Sequence, residues 1–196
     1  MLQAEVSVTV SRTAGLAAAL AVALGAATPA LAETSAERNP MEGGAPVYPY
    51  KNIVENAASS KDHTTLVAAV KAAGLEHTLE GPGPFTVFAP TNEAFEKLPP
   101  GTVAGLLRPE NKAALVKVLT YHVVAGKLTE ARLRSAIKAG GGIATLTTLA
   151  GEPLTASLYD DKIVLTDAQG GTANIVVGNV IQSNGLIDVI DAGLMP

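Results

Sequence analysis

The chain divides near Gly140 into two stretches that differ in the spacing of their apolar residues. From Asn52 onward, apolar side chains recur mainly at helical spacing, with one strand-like run, FTVF, after the turn sequence GPGP. Beyond Ile143 they occur in short runs separated by Gly, Asp-Asp or Asn-Gly turn signals: TLTTL, PLTASLY, KIVLTD, ANIVV, NVIQ and LIDVID. Helices that come first and strands that come last favour an α+β fold over a doubly wound sheet.

Residues typical of helix ends locate the predicted helices. Asn52 and Glu55 have the spacing of a capping box, and Gly74 is expected to end a second helix. Thr129 is expected to cap a later helix that stops at the glycines beginning with Gly140. The helical part therefore consists of several short helices rather than one long one.

One of these helices is expected to carry the sequence LTYHVV into the core. Leu115, Val118, Leu119 and His122 fall at positions i, i+3, i+4 and i+7, which predicts one buried stripe. Tyr121 is rotated by about 100° from His122 on a helix, so we expect it closer to the surface.

The first 32 residues have the pattern of a signal peptide. Arg12 precedes an apolar run over residues 14–27, and Ala30-Leu31-Ala32 predicts cleavage before Glu33. A membrane anchor is the alternative, but the run is shorter than the roughly 20 residues that span a bilayer. We expect a secreted or periplasmic protein without a membrane anchor. Residues 33–49 then form a flexible lead-in, and residues 50–196 form one domain.

Composition excludes several classes of function. The formal net charge of −4 argues against a nucleic-acid partner. With no Cys the chain has no disulfide, thiol nucleophile, iron–sulfur cluster or acylated cysteine. We expect no cofactor.

The histidines and aspartates offer little support for catalysis or metal binding. His63, His77 and His122 have no ligand spacing, and no serine lies in a nucleophile elbow. His122 is interpreted as a buried structural residue, with a hydrolase that pairs it with a carboxylate as the alternative. Asp160-Asp161 is read as a hairpin turn rather than, with Asp167, a calcium site. We therefore expect no enzyme and no bound metal.

Three segments together resemble the fasciclin domain family. FTVFAPTNEAF at residues 85–95 resembles its first signature, and NGLIDVIDAGLMP at residues 184–196 resembles its second. LTYHVV at residues 119–124 is similar to the Tyr-His motif between them. The lead-in NPMEGGAPVYPYKNIVENA also resembles that of single-domain secreted bacterial fasciclin proteins.

The resemblance implies a wedge or sandwich of short strands flanked by helices, used in adhesion without catalysis. It makes Tyr121 and His122 candidate binding residues. Asp188 occupies a position where the second signature commonly has His, and we include it as a candidate that is either hydrogen-bonded or exposed at a strand edge.

The signature residues themselves are predicted to be mainly structural. FTVF and LIDVI carry apolar residues at adjacent positions, as central strands covered on both faces do. The signature residues in this group are Phe85, Val87, Phe88, Pro90, Thr91, Asn92, Phe95, Asn184, Gly185, Ile187 and Val189.

Two functions remain open from the sequence. The first is adhesion to a protein or glycan on a cell surface or in a matrix, for which bridging two surfaces requires oligomerisation or two binding faces. The second is binding of an apolar small molecule, such as a carotenoid or lipid, in a cleft lined by aliphatic side chains.

Overall fold

A computed structural model of the protein describes residues 46–196. The expected signal peptide and residues 33–45 of the expected lead-in lie outside the described residues. The helices are α1 (Ile53–Ala57), α2 (Thr64–Ala73), α3 (Glu76–Glu80), α4 (Asn92–Glu96), α5 (Thr102–Leu106), α6 (Lys112–Tyr121) and α7 (Glu130–Ala139). Short 3-10 helices at Lys61–His63 and Pro109–Asn111 precede α2 and α6. The strands are β1 (Phe85–Pro90), β2 (Val123–Ala125), β3 (Ile143–Thr147), β4 (Pro153–Tyr159), β5 (Lys162–Thr166), β6 (Thr172–Gln182) and β7 (Gly185–Ile190).

The predicted helix ends are confirmed. Asn52 Oδ1 accepts from the N–H of Glu55 at 2.9 Å, and a Glu55 carboxylate oxygen accepts from the N–H of Asn52 at 2.8 Å. Gly74 ends α2 with a left-handed φ of 72°, which a residue with a side chain adopts less readily. Thr129 caps α7, and Gly140 follows its last turn.

The seven strands form one sheet in the order β2-β1-β7-β6-β5-β4-β3. Only β1 and β7 pair in parallel within this sheet; the other neighbours are antiparallel. The ends of the sheet approach each other, because the N–H of Leu149 donates to the carbonyl of Val123 at 2.7 Å. The sheet is therefore a nearly closed wedge, and the α+β prediction is confirmed.

The parallel pair separates two clusters of buried side chains. Alternate residues of β1 and β7 point to opposite sides of the sheet. One side faces the helix cluster, which includes Ile53, Leu66, Val70, Val87, Leu119, Ile187 and Val189. The other faces the barrel cluster inside the wedge, which includes Phe88, Tyr121, Leu133, Leu154, Leu165, Ile190 and Leu194. The prediction that FTVF and LIDVI are central strands is confirmed.

The runs ANIVV and NVIQ, read as separate in the sequence, belong to one strand. β6 continues through both, with register shifts against β7 between Ile175 and Val177 and between Val177 and Val180. Asn179, in the second irregularity, has a φ of 60°. The Gly-Asn signal thus marks a β-bulge, which bends a strand without ending it.

The described end of the expected lead-in packs on the domain. Val47 contacts the helix cluster, and the N–H of Tyr48 donates to Asn56 Oδ1 at 3.1 Å. The carbonyl of Lys51 accepts from the N–H of Ser183 at 2.9 Å. The last residues of the expected lead-in therefore contact the domain through Val47 and through the buried Asn56 amide, whereas Lys51, already within the expected domain, bonds the β6–β7 turn.

Candidate functional site

Tyr121, the last residue of α6, is fully buried with 0% of its surface exposed. Its hydroxyl donates to the carbonyl of Pro153 at 2.9 Å and accepts from the N–H of Ala168 at 3.1 Å. The expectation that Tyr121 lies closer to the surface is wrong. The end of α6 lies between the two clusters, so that Leu119 faces the helix cluster while Tyr121 faces the barrel cluster.

His122 caps the C-terminus of α6 and is 4% exposed. Its Nδ1 lies 2.8 Å from the carbonyl of Val118, and its Nε2 accepts from the N–H of Leu194 at 3.1 Å. These partners require a neutral ring with the proton on Nδ1. Burial lowers the pKa of His122, although the bond to Val118 and the charge of Asp167 act in the opposite direction. Its prediction as a buried, hydrogen-bonded residue is confirmed.

Both ring nitrogens of His122 are thus committed to the backbone. A general base needs a free nitrogen within hydrogen-bond reach of a proton on the substrate, and this geometry offers none. The motif instead connects α6 to distant parts of the chain: Tyr121 to β4 and to the turn after β5, and His122 to the C-terminal segment.

Asp188 is also fully buried, with 0% of its surface exposed. It lies on β7 beside Phe88 of β1 and opposite the bulge of β6. Its Oδ1 accepts from the N–H of Asn179 at 2.8 Å, while its Oδ2 has no hydrogen-bond partner. The expected alternative, that Asp188 reaches solvent at a strand edge, is wrong because β7 pairs with a strand on each side.

The burial of Asp188 raises its pKa to about 7; the bond from Asn179 opposes this shift and the charge of Glu130 adds to it. Glu130 is held close to the bulge, because its N–H donates to Asn179 Oδ1 at 2.9 Å. A Cβ at Gly178 would collide with the Glu130 carboxyl group. Asp188 therefore stabilises the bulge to which the start of α7 is attached.

In the first signature, polar side chains organise the chain after β1. Thr91 caps α4 by accepting from the N–H of Ala94 at 3.2 Å. Asn92 Oδ1 accepts from the N–H of Thr65 at 3.0 Å, and its side-chain amide donates to the carbonyl of Lys61 at 2.9 Å. Asn92 thus ties α4 to the start of α2. Pro90 is buried at the end of β1, and Phe95 and Phe85 pack at the margin of the helix cluster.

In the second signature, Asn184 and Gly185 fix the start of β7. The Asn184 amide donates to the carbonyl of Leu79 at 2.7 Å, and its Oδ1 accepts from the N–H of Ile53 at 3.1 Å. Gly185 lies so close to Phe85 that a Cβ would collide with the Phe85 carbonyl oxygen. These residues join α1, α3 and β1 at one point, which gives the signature a structural role.

An apolar cavity lies between the helices and β1. Its lining is almost entirely aliphatic, with Lys71 and Glu76 as its charged members and with His122 contributing to the wall. The aliphatic lining includes Ile53, Leu66, Val70, Leu79, Val87 and Leu119. The cavity volume is about 30 Å³, close to that of one water molecule. A larger ligand can enter only if the helices move apart from the sheet.

The remaining candidate residues occupy turns or surfaces. Asp160 and Asp161 form the β4–β5 hairpin turn, both with positive φ, and Asp161 pairs with Arg134 at 2.7 Å. Asp167 instead closes the next turn, where its Oδ1 accepts from the N–H of Gly171 at 2.7 Å. Among residues 46–196, no group of three His, Cys, Asp or Glu side chains could hold a metal ion. His63 is buried and bonded to Ser60, whereas His77 is on the surface.

The sequence model of the fasciclin domain matches residues 61–196. The chain belongs to the fasciclin family. Protein sll1483 of Synechocystis is 46% identical over 170 residues, which cover 86% of this chain and 87% of that protein. Immunogenic protein MPT70 of Mycobacterium tuberculosis is 35% identical, over 71% of this chain and 66% of that protein. Cell surface glycolipoprotein MPB83 of Mycobacterium bovis is 34% identical, over 82% of this chain and 68% of that protein.

The fold is also similar to a solved fasciclin structure. A FAS1 domain pair from the insect cell adhesion molecule Fasciclin I has a TM-score of 0.68 at 19% identity, over 76% of this chain and 52% of that chain. The sequence did not predict several polar groups of this fasciclin domain, among them the buried Asn56, the half-buried Asn179 and the buried Thr86, whose hydroxyl donates to the carbonyl of Gly126 at 2.7 Å. Only Asn179 had a local signal, the preceding glycine.

No helix within residues 46–196 combines the length and hydrophobicity needed to cross a membrane.

Proposed function

We propose that this fasciclin protein is exported and binds a protein or glycan on a cell surface or in a matrix, without catalysing a reaction. The observation that carries the proposal is the match of the fasciclin domain over residues 61–196. Similar proteins include a mycobacterial cell surface glycolipoprotein, and the fold is similar to that of an insect adhesion molecule.

The interior of the domain supports a non-catalytic function. The polar atoms of Tyr121 and His122 bind backbone groups, and Asp188 binds the bulge of β6. Because these side chains have almost no exposed surface, they act in adhesion only by maintaining the shape of the domain. The binding surface is then formed by other, exposed residues.

Binding to intact cells tests this function. The purified, fluorescently labelled chain is added to cells of the producing species and to neighbouring species, with unlabelled chain as competitor. We expect saturable binding that the competitor abolishes. A second sample of producing cells is treated with protease before lysis, and loss of the endogenous chain is expected if it is on the surface. Binding that never saturates on any cell, with an endogenous chain that resists protease, would contradict the proposal.

The second candidate function is binding of an apolar small molecule, which the aliphatic cavity favours. Its volume of about 30 Å³ is far below the roughly 300–1,000 Å³ of typical ligand pockets. A carotenoid or lipid would therefore require α1 and α2 to move away from β1. An organic extract of the chain purified from its native cells tests this function by mass spectrometry. A stoichiometric apolar compound supports it, and an extract without one excludes it for that source.

A further inference from the structure

Two exposed tyrosines lie side by side at the described N-terminal end of the chain. Tyr50 is 74% exposed, and its ring centroid lies 5.3 Å from that of Tyr48, with the planes tilted by 36°. The ammonium group of Lys51 lies 5.0 Å from the centre of the Tyr48 ring. Two adjacent exposed rings form an aromatic patch rather than a single exposed side chain, and tyrosine is enriched where proteins bind.

The backbone of this segment is fixed to the domain. Asn56 bonds to both the N–H and the carbonyl of Tyr48, and its amide also contacts the side chain of Gln182. The carbonyl of Lys51 accepts from the N–H of Ser183 at 2.9 Å. The tyrosines are therefore presented by an anchored backbone, which lowers the entropy lost when they bind a partner.

Gln182 and Ser183 also belong to the wall of an open cleft, called here the turn cleft. It lies between the turn at residues 82–84 and the turn at residues 182–185, and Lys127 completes its lining. Its volume is about 390 Å³, and the lining contains amide, hydroxyl and backbone polar groups. Residues 182–183 thus line the turn cleft and also help to anchor the segment that carries the two tyrosines.

The lining of the turn cleft carries a positive charge, although the chain as a whole carries −4. Its lining contains the cation Lys127 and no carboxylate. Arg132 lies beside it, because its guanidinium donates to the carbonyl of Lys127 at 3.1 Å. The neighbouring carboxylates are absent from this lining: Glu55 caps α1, Glu80 lies 3.8 Å from His77, and the Glu130 carboxyl lies against Gly178.

We propose that the turn cleft, together with Tyr48 and Tyr50, binds an anionic polysaccharide. The C–H face of a sugar ring packs on an aromatic ring, and its hydroxyls exchange hydrogen bonds with the serine hydroxyl and with backbone groups of the two turns. Lys51, Lys127 and Arg132 supply the positive charge that carboxylate-bearing sugars require. This inference rests on the proposed function and specifies the partner as a glycan.

Affinity electrophoresis of the full chain tests the proposal. Native gels contain alginate, a polymer of uronate sugars, or dextran, a neutral polymer, both in calcium-free buffer. We expect alginate to retard the wild-type chain, dextran to have no effect, and added salt to weaken the retardation. Tyr50→Ala and Lys127→Ala are each expected to weaken alginate binding about tenfold.

Matched control variants come from the β4–β5 hairpin. Tyr159 is 72% exposed and pairs in the β4–β5 ladder with Lys162, so Tyr159→Ala and Lys162→Ala remove the same side chains elsewhere. These controls should bind alginate as the wild type does, and all four variants should melt within a few degrees of it. The proposal is overturned if alginate does not retard the wild-type chain, if dextran retards it equally, or if all four variants behave alike.

Cell binding separates this proposal from the proposed function. If wild type, Tyr50→Ala and Lys127→Ala bind cells equally and none binds alginate, the polysaccharide proposal fails while surface binding stands. If the wild-type chain binds alginate through these residues but binds no cell, the surface function fails while the glycan site stands.

Discussion

Tyr121, His122 and Asp188 each direct one polar atom at a backbone group of another element. Each accepts a hydrogen bond from an N–H group that lies outside its own helix or strand: Ala168, Leu194 and Asn179 respectively. A buried N–H without an acceptor costs about 1–3 kcal/mol, so each of these side chains contributes to stability at the residue scale.

Tyr121→Phe removes the hydroxyl of Tyr121 and keeps its ring. The ring still fills the barrel cluster, but the N–H of Ala168 and the carbonyl of Pro153 lose their partner. We expect a loss of about 1–3 kcal/mol in the free energy of unfolding, measured by urea denaturation. Tyr159→Phe, which removes the hydroxyl of an exposed tyrosine, is the control and should change stability by less than about 0.5 kcal/mol. Equal stability of both variants would contradict the buried hydrogen bonds.

Asp188→Asn should raise the free energy of unfolding at neutral pH, and this gain should shrink as the pH is lowered. Below the usual carboxyl pKa of 3.8, Asp188 is protonated in both folded and unfolded chains. Between 3.8 and its folded pKa of about 7, only the unfolded chain loses the proton, so the stability of the wild type falls as pH rises through this window. The variant has no ionisable group at this position and so avoids this loss of stability, which amounts to at most about 4 kcal/mol in the wild type.

The comparison of wild type with Asp188→Asn at pH 4.5 and pH 7.5 measures this effect. His63 and His122, whose pKa values burial lowers, titrate in the opposite direction but are present in both proteins. Their effect therefore cancels in the difference. A stability difference that is the same at both pH values would show that Asp188 is already ionised in the folded protein.

At the scale of elements, the contact of the N-terminal segment with the β6–β7 turn extends the folded unit beyond α1. Val47 packs on the helix cluster, and Lys51 bonds to Ser183. This contact joins residues that are more than a hundred positions apart in the chain.

Two truncations test the importance of this segment. A chain that begins at Pro46 should melt at the temperature of a chain that begins at Glu33, because every contact described for the segment is kept. A chain that begins at Asn52 should melt several degrees lower, since Asn56 and Ser183 lose backbone partners. Differential scanning calorimetry of the three chains decides this, and identical melting of all three would show that the segment contributes nothing to stability.

At the scale of the whole molecule, both faces of the central β1–β7 pair are covered by packed side chains. The fold therefore buries the strand residues of its signatures, such as Val87 and Ile187, and leaves turns and the N-terminal segment available to partners. A family signature of this kind identifies the scaffold, whereas binding depends on the exposed residues that the scaffold positions.

The exported protein is expected to begin at Glu33. We expect residues 1–32 to act as a signal peptide that is cleaved after Ala30-Leu31-Ala32, so that the remaining chain is found outside the cytoplasm. N-terminal sequencing and intact mass of the chain from periplasmic and culture fractions measure this directly. A chain that keeps residues 14–27 and sediments with membranes would show that the segment is an anchor.

The sequence by itself determined most of the elements, though not α3, α5 or β2, and much of the core. Capping residues such as Asn52 and Thr129, and the run of apolar residues in LIDVI, depend on neighbours within a few positions, so their pattern is visible in the chain. Only the tertiary structure decided which polar side chains are buried and whether Gly178-Asn179 is a turn or a bulge. Tyr121 lies inside because α6 ends between two clusters, and Asp188 lies inside because β7 has a partner on each side. These facts depend on residues from opposite ends of the chain, which helical or strand spacing does not encode.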